Sequence, residues 1–415
     1  MPRAMLDDPT RSDPRALIRT SLFALVSDIV APRPKYLHAT SDATIVLDAN
    51  VAITVGNSVF ATERVSLGSH NLDAGTSFVI GSDYYVYICD PAGGSDEMYL
   101  ISLNSTAPLG FNALNSRKIG GFHFGMCRRV DDMKRPVNPA GEPWGTGWEA
   151  NVYLGIVPDS VWTIKHRPCC SPEGMVYLGS KTWVDIYLSS SDGADGLQSA
   201  YGEIPITGTE GHNFYSFNDR ALSAGKRLMN YAEYMRMAYG SPQGLAGDNT
   251  NAWSGATARN RAGLVDRATS SIGARDAVGN LWEWLDEFIT RASGVVLNGT
   301  TSPATFTYAS WDGGRAGVVN TNGTAHGPTT RSNENTANGI QGAWAWDRDT
   351  PLGDTTGGNR ENGNIHQYYD WSLVALRSGG HWGSGAQAGS RAVDCNNRPW
   401  SVNTAVGVRL ACESL

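Results

Sequence analysis

Glycine, tryptophan and arginine recur through the last forty residues and leave the positions between them chemically unrestricted. Gly379-Gly380-His381-Trp382 opens the segment, Ala388-Gly389-Ser390-Arg391-Ala392 sits in its middle, and Gly407-Val408-Arg409-Leu410 closes it. Glycines at Gly379, Gly380, Gly385, Gly389 and Gly407 permit backbone conformations or close approaches that a side chain would block. Trp382 and Val408 are expected to fill core. Arg391 and Arg409 are expected to bridge loops to neighbouring carbonyls or carboxylates through several donors. In between lie His381, Gly383, Ser384, Gln387, Asp394, Asn396, Asn397, Arg398, Ser401, Asn403 and Ala405. They mix cationic, anionic, amide, hydroxyl and very small side chains, with none of the nucleophile, base and orienting roles that a catalytic site requires. Such a segment reads as a frame whose contact residues can be exchanged.

The chain has 415 residues, so two or three domains are expected rather than one core. Charged residues make up 18%, hydrophobic residues 41%, and there are 48 glycines, which fits a loop-rich, β-containing globular protein and excludes a disordered one. The net charge of −7, without a basic stripe, argues against nucleic acid as a partner. No window approaches the roughly 18 consecutive apolar residues of a membrane span, so membrane insertion is not expected. Met1–Asp8 carries Arg3, Asp7 and Asp8 and no apolar core of a signal peptide, so the expectation is a chain made in the cytosol. The six cysteines, Cys89, Cys127, Cys169, Cys170, Cys395 and Cys412, form no C-x-x-C pair and read as buried or incidental thiols.

Along the chain, apolar spacing over Ala16–Val26 predicts a short helix, ended by Pro32 and Pro34. Residues 36–115 read as strands at Thr44–Leu47, Val51–Val55, Ser77–Ile80 and Tyr84–Ile88. A strand pair is expected at Gly174–Leu178 and Thr182–Leu188, followed by a turn over Ser189–Gly193. Asn218 or Asp219 is the expected cap of a helix reaching Lys226. Leu228, Tyr231, Met235 and Ala238 mark the apolar face of a second helix, stopped by Gly240-Ser241-Pro242. Residues 241–380 read mostly as loop, with islands at Gly273–Trp284 and Trp344-Ala345-Trp346.

Taken in order, four of these pieces resemble one superfamily. They are Phe217-Asn218-Asp219 with Gly225–Leu228 and Tyr231–Tyr234, then Asp276–Trp284, then Gly379–Trp382, then Gly407–Leu410. The resemblance is to the C-type-lectin-like fold shared by formylglycine-generating enzymes and the variable proteins of diversity-generating retroelements, and it covers roughly residues 117–415. It implies an α+β chain: a small, mainly-β N-terminal domain at 1–116 with a short leading helix, then a C-type-lectin-like ligand-binding domain at 117–415.

The enzymes of that superfamily use a cysteine pair after the Gly-Gly motif. Here Gly383–Gly389 contains no cysteine, so the redox nucleophile is missing. The variable proteins are the nearer likeness, through Trp183–Leu188, Gly380-His381-Trp382, Ala388–Ala392 and Pro399. Their genes replace template adenines near the coding end, so asparagine codons become many others while the backbone persists. The resemblance therefore implies a diversified segment at about 377–410, with His381, Gly383, Ser384, Gln387, Asp394, Asn396, Asn397, Arg398, Ser401, Asn403 and Ala405 as ligand-binding positions. Gly380, Trp382, Gly389, Arg391, Gly407 and Arg409 become the scaffold.

The implied function is non-enzymatic binding of a protein or cell-surface receptor, on a phage or prophage tail or as another surface-displayed receptor. Homo-oligomerisation and virion assembly are both compatible with it. The alternatives are a formylglycine-generating-type oxidase and a fixed-specificity carbohydrate-binding lectin. Glu283 is expected to be structural, bonded to a nearby loop or to Arg409. No catalytic residue, cofactor or metal is expected, although Asp276, Asn280 and Asp286 supply oxygens that a structural calcium ion could use.

Overall fold

The computed structural model describes residues 29–91, 97–242, 256–291, short strands between 296 and 328 and at 364–367, and 373–415 except 385–387 and 396. The helix expected at Ala16–Val26 and the island at Trp344–Trp346 lie outside the described residues. Those residues are mainly β, with two α-helices, and fall into two compact units.

The first unit contains residues up to Gly125, then Leu154–Pro168 and Ser414–Leu415. Leu37–Ser41, Thr44–Leu47 and Val65–Leu67 form an antiparallel three-stranded sheet, and Ala52–Val55 pairs with Ser58–Ala61 as a hairpin. In a second sheet the long strand Ser82–Cys89 lies between Met98–Ser102 and the strand starting at Ser116. The β-branched and aromatic runs that predict these strands also supply the core, where Ile45, Leu47, Ile53, Val86 and Ile88 are buried with Tyr84 and Phe122. Ser77–Ile80 is not a strand. Its Phe78 ring packs edge-on against Tyr84 and Phe122 at 5.0 and 5.5 Å, and the Val79 N–H donates to the Tyr84 hydroxyl at 2.8 Å. Tertiary packing thus takes the apolar residues that made this stretch look like a strand.

The second unit contains Met126–Tyr153 and Cys169–Glu413. Met175–Gly179 and Thr182–Asp185 form the expected hairpin, turning through positive φ at Gly179, Ser180 and Lys181. The strand ends at Asp185, short of Leu188. Ser189–Ser191, expected as a turn, is a strand pairing with Leu197–Ser199, and the chain reverses at Asp192, whose carboxylate accepts the Ala194 N–H at 2.8 Å.

The first helix, Phe214–Ser223, begins earlier than expected because Asn213 caps it, its Oδ1 accepting the Ser216 N–H at 3.1 Å while Ser216 Oγ accepts the Asn213 N–H at 2.9 Å. Asn218 and Asp219 therefore sit inside it. It stops at Ser223, because Gly225 takes φ +67° and Arg227–Leu228 is a strand. The second helix, Tyr231–Ala238, is capped by Asn230. It buries Tyr231, Tyr234, Met235 and Ala238, and Gly240 at φ +76° follows it.

These helices flank two sheets that hold the chain's end. In one, Leu410–Glu413 lies between Thr182–Asp185 and Arg227–Leu228. In the other, Leu373–Gly379 runs antiparallel between Trp282–Arg291 and Gly389–Cys395, and Val406–Gly407 pairs parallel with Trp282–Glu283. Phe214, Phe217, Trp282, Trp284, Ala375, Ala392, Val408 and Leu410 form the core of this region.

Candidate functional site

The terminal segment leaves these sheets twice, at a turn over Gly380–Ser384 and at a loop from Asn397 to Ala405. The first leaves through Gly379 and Gly380, at φ +99° and +84°. A side chain would be strained there and would also collide, since a Cβ on Gly379 would lie 2.6 Å from the Tyr234 hydroxyl and one on Gly380 2.6 Å from the Ala388 Cβ. The turn then closes on itself. Ser384 N–H donates to the His381 carbonyl at 2.9 Å, His381 N–H to Ser384 Oγ at 3.0 Å, and Gly383 N–H to His381 Nδ1 at 3.1 Å. His381 and Ser384 thus shape the loop as well as lying on it. Burial and the nearby Arg377 cation lower the imidazole's pKa, so His381 is neutral near pH 7.

Main-chain atoms anchor the second loop. The Asn397 carbonyl accepts Ala375 N–H at 3.0 Å, the Pro399 carbonyl accepts Phe214 N–H at 3.1 Å, and the Asn403 carbonyl accepts Gly208 N–H at 3.0 Å. Ala405 O accepts Trp282 N–H at 3.0 Å. Asn403 Oδ1 is the exception, accepting the Ala405 N–H at 2.8 Å. A loop pinned by carbonyls keeps its course whatever side chains it carries, because every residue brings the same carbonyl. Its outward face holds Arg398, exposed, with its guanidinium 5.7 Å from the Trp400 ring centre, together with half-exposed Trp400 and Val402.

Below the loops lies a charged hub. Arg409 and Glu283 are both fully buried, with Arg409 Nε 3.2 Å and Nη2 3.1 Å from the Glu283 carboxylate. The same guanidinium donates to the carbonyls of Asp185 at 3.2 Å and Arg275 at 2.5 Å and to that of Ile186. The pairing expected of Glu283 and Arg409 is formed, and the planar donor fork of arginine suits it. Alongside, Lys226 Nζ lies 2.6 Å from Asp185 Oδ1. Burial alone would lower the ammonium's pKa; the Asp185 carboxylate outweighs it, and the net shift is upward.

Of the expected ligand-facing positions, Gly383 and Arg398 are exposed, while His381, Ser384, Asn397, Ser401, Asn403 and Ala405 are partly exposed. Gln387 and Asn396 lie outside the described residues. Asp394 does not face outward: it is buried, with its carboxylate 3.1 Å from Arg377 Nη2. Strand alternation is the reason, since Asp394 lies opposite Arg377 across the sheet. Trp382, expected in the core, is partly exposed, its ring edge-on to His381 at 5.0 Å. Gly389 and Gly407 are buried in strands, and a Cβ on Gly407 would lie 2.9 Å from Leu281 Cδ1. Arg391 is in a strand, and its side chain lies outside the described residues. Asp276 and Asn280 are buried and committed to main-chain groups, Asp276 accepting from Gly263 N–H at 2.5 Å and Asn280 exchanging two hydrogen bonds with Asn260 at 3.0 and 3.1 Å. Asp286 is exposed. Among the described residues no three acidic, histidine or cysteine groups cluster as metal ligands.

Residues 35–149 match the family model of the Mtd second domain. The solved M1 and I1 variants of the Major Tropism Determinant superpose with TM-scores of 0.59 at 21% and 22% identity, covering 96% of this chain and 87% of theirs. The tail fiber receptor-binding protein of Bordetella phage BPP-1 is 29% identical over 269 residues, which span 60% of this chain and 64% of that protein's length. The chain thus shares the fold of the major tropism determinants. In the tropism-determinant fold as built here, sequence reading missed two supports of the second loop. Gly208 approaches so closely that a Cβ would lie 2.3 Å from the Asn403 nitrogen. Thr207 and Glu210 fix that approach by reciprocal capping. The spacing of Thr207 and Glu210 was the available signal, a capping box without an apolar run after it.

Proposed function

We propose that this protein is a non-enzymatic receptor-binding adhesin of a phage or prophage tail, with a sequence-diversified face at about 377–410. The observation that carries the proposal is the carbonyl-anchored loop at 397–405, which holds its shape independently of most of the side chains it displays. The relative named for tail-fibre receptor binding supports the same reading. The face comprises His381, Gly383, Ser384, Asn397, Arg398, Ser401, Asn403 and Ala405, on a C-type-lectin-like part within 117–415 of an α+β chain that also has a smaller, mainly-β N-terminal part. Its partner would be a surface receptor of the host cell, and its place the virion tail. Binding would rest on surface complementarity, with multiple copies on a particle strengthening weak contacts.

The test is the gene's neighbourhood. A reverse transcriptase gene with a near-copy of the coding end that differs at adenines is the expected finding; a locus without such a copy defeats the diversification reading. At the protein level, Arg398→Ala and Ser401→Ala are each expected to change unfolding free energy by no more than about 0.5 kcal/mol, because main-chain carbonyls hold the loop. Both are expected to alter particle adsorption to host cells. A loss of several kcal/mol in urea unfolding would show that these positions belong to the frame.

A further inference from the structure

Three of the cysteines that look unrelated in sequence meet at the chain's end. Cys412 lies in the strand Leu410–Glu413, opposite Trp183. Cys169 N–H donates to the Glu413 carbonyl at 2.8 Å, which seats the 169–170 segment along the same strand. This places Cys169 Sγ 3.0 Å from Cys412 Sγ, and brings the Cys170 N–H to 3.3 Å from that same sulfur. A disulfide needs about 2.05 Å, so the two sulfurs must close by roughly one ångström. Cys169 is exposed and Cys412 buried, so one thiol meets solvent while the other waits behind it.

We propose that Cys169 and Cys412 are a redox pair that closes to a disulfide when the protein meets a small-molecule disulfide oxidant, fastening the last strand of the second unit to residue 169. Exposed Cys169 loses its proton, and its thiolate attacks one sulfur of the oxidant, breaking the S–S bond and releasing one thiolate. Cys412 then loses its proton and attacks Cys169 Sγ, forming the protein disulfide and expelling the second thiolate. The two cysteines are oxidised by two electrons, the oxidant is reduced to two thiols, and the two protons end on them. Hydrogen bonding from Cys170 pulls the Cys412 thiol's pKa down to about 6 despite its burial, while the contact with Cys412 raises that of Cys169, so exposure alone makes Cys169 the thiol that meets the oxidant first. The bridge joins residues 243 apart and encloses both helices and the candidate binding face. It constrains the unfolded chain strongly while demanding little of the folded one.

The full-length protein is incubated with oxidised or reduced glutathione, then digested and mapped by mass spectrometry without reduction. The expected result is a dithiothreitol-sensitive cross-link from the 169–170 peptide to the Cys412 peptide, with a Tm roughly 5 °C above that of the reduced protein. Cys169→Ser, at an exposed site, is expected to fold and to lose both cross-link and Tm rise. Cys170→Ser is expected to keep both. Absence of the cross-link in the wild-type protein, or its survival in Cys169→Ser, overturns the proposal.

Discussion

Replacing Arg409 by methionine is expected to lower unfolding free energy by about 3–5 kcal/mol, because it leaves a buried carboxylate without its partner. Glu283 is fully buried, and burial pushes its carboxyl pKa up while Arg409 pulls the other way. Without the guanidinium, Glu283 must either stay charged in an apolar surround or take up a proton. The carbonyls of Asp185, Ile186 and Arg275 lose their donor in the same substitution. Urea unfolding followed by tryptophan fluorescence measures the loss. The double variant Arg409→Met with Glu283→Met is expected to recover part of it, since two apolar side chains of similar bulk leave no uncompensated charge. A loss under about 1 kcal/mol in the single variant would remove this pair from the frame. The contrast with the exposed loop positions would show that stability and display reside in different residues of one segment.

Glu287 is expected to contribute a loss of stability as pH rises from about 5 to above 8, a contribution that Glu287→Gln removes. Glu287 is buried, and its Oε2 accepts the Tyr231 N–H at 2.9 Å. Burial first, and then the carboxylates of Asp286 and Glu233, push its pKa from the ordinary 4.5 up to about 8. The native protein therefore holds this proton where the unfolded chain has lost it. Between those two values the native state binds more protons, so stability decreases with rising pH: the contribution is complete below about 4.5 and lost above about 8. Asp276, raised by burial to about 6, adds a smaller decline in the same direction at lower pH. Glutamine keeps an acceptor for the Tyr231 N–H and cannot ionise. The variant should exceed the wild type at pH 8.5 by an amount on the order of 4 kcal/mol, and approach it near pH 5. Parallel urea-midpoint curves for the two proteins across this range would refute the assignment.

Much of the fold was legible because local patterns coincide with what tertiary packing selects. The runs at Thr44–Leu47 and Tyr84–Ile88 are strands, and Tyr231, Met235 and Ala238 are buried on the second helix, although Leu228, read with them, lies in the strand before it. The readings that differ failed where packing overrode pattern. Ser77–Ile80 has the composition of a strand, but Phe78 is drawn into an aromatic cluster. The first helix starts at Asn213 rather than Asn218, because reciprocal capping by Ser216 competes better than a cap placed in mid-helix. In the candidate site, the Gly379-Gly380 exit and the Arg409–Glu283 pair were readable from residue type, since left-handed φ and fully buried multidentate bonding each admit few residues. Trp382 and Asp394 were not. Their environments depend on which strand residue lies opposite them and on what covers the turn.

The terminal segment separates the two sources of information most clearly. Sequence alone marked Gly379, Gly380, Gly407 and Arg409 as positions with little freedom, because close backbone approach and buried multidentate bonding impose chemistry that only certain residues meet. Only the tertiary structure decided which of the intervening positions face outward, that carbonyls hold the second loop, and that Cys169 lies against Cys412. Those outcomes depend on residues brought together across long stretches of chain, and local sequence carries no record of such distant neighbours.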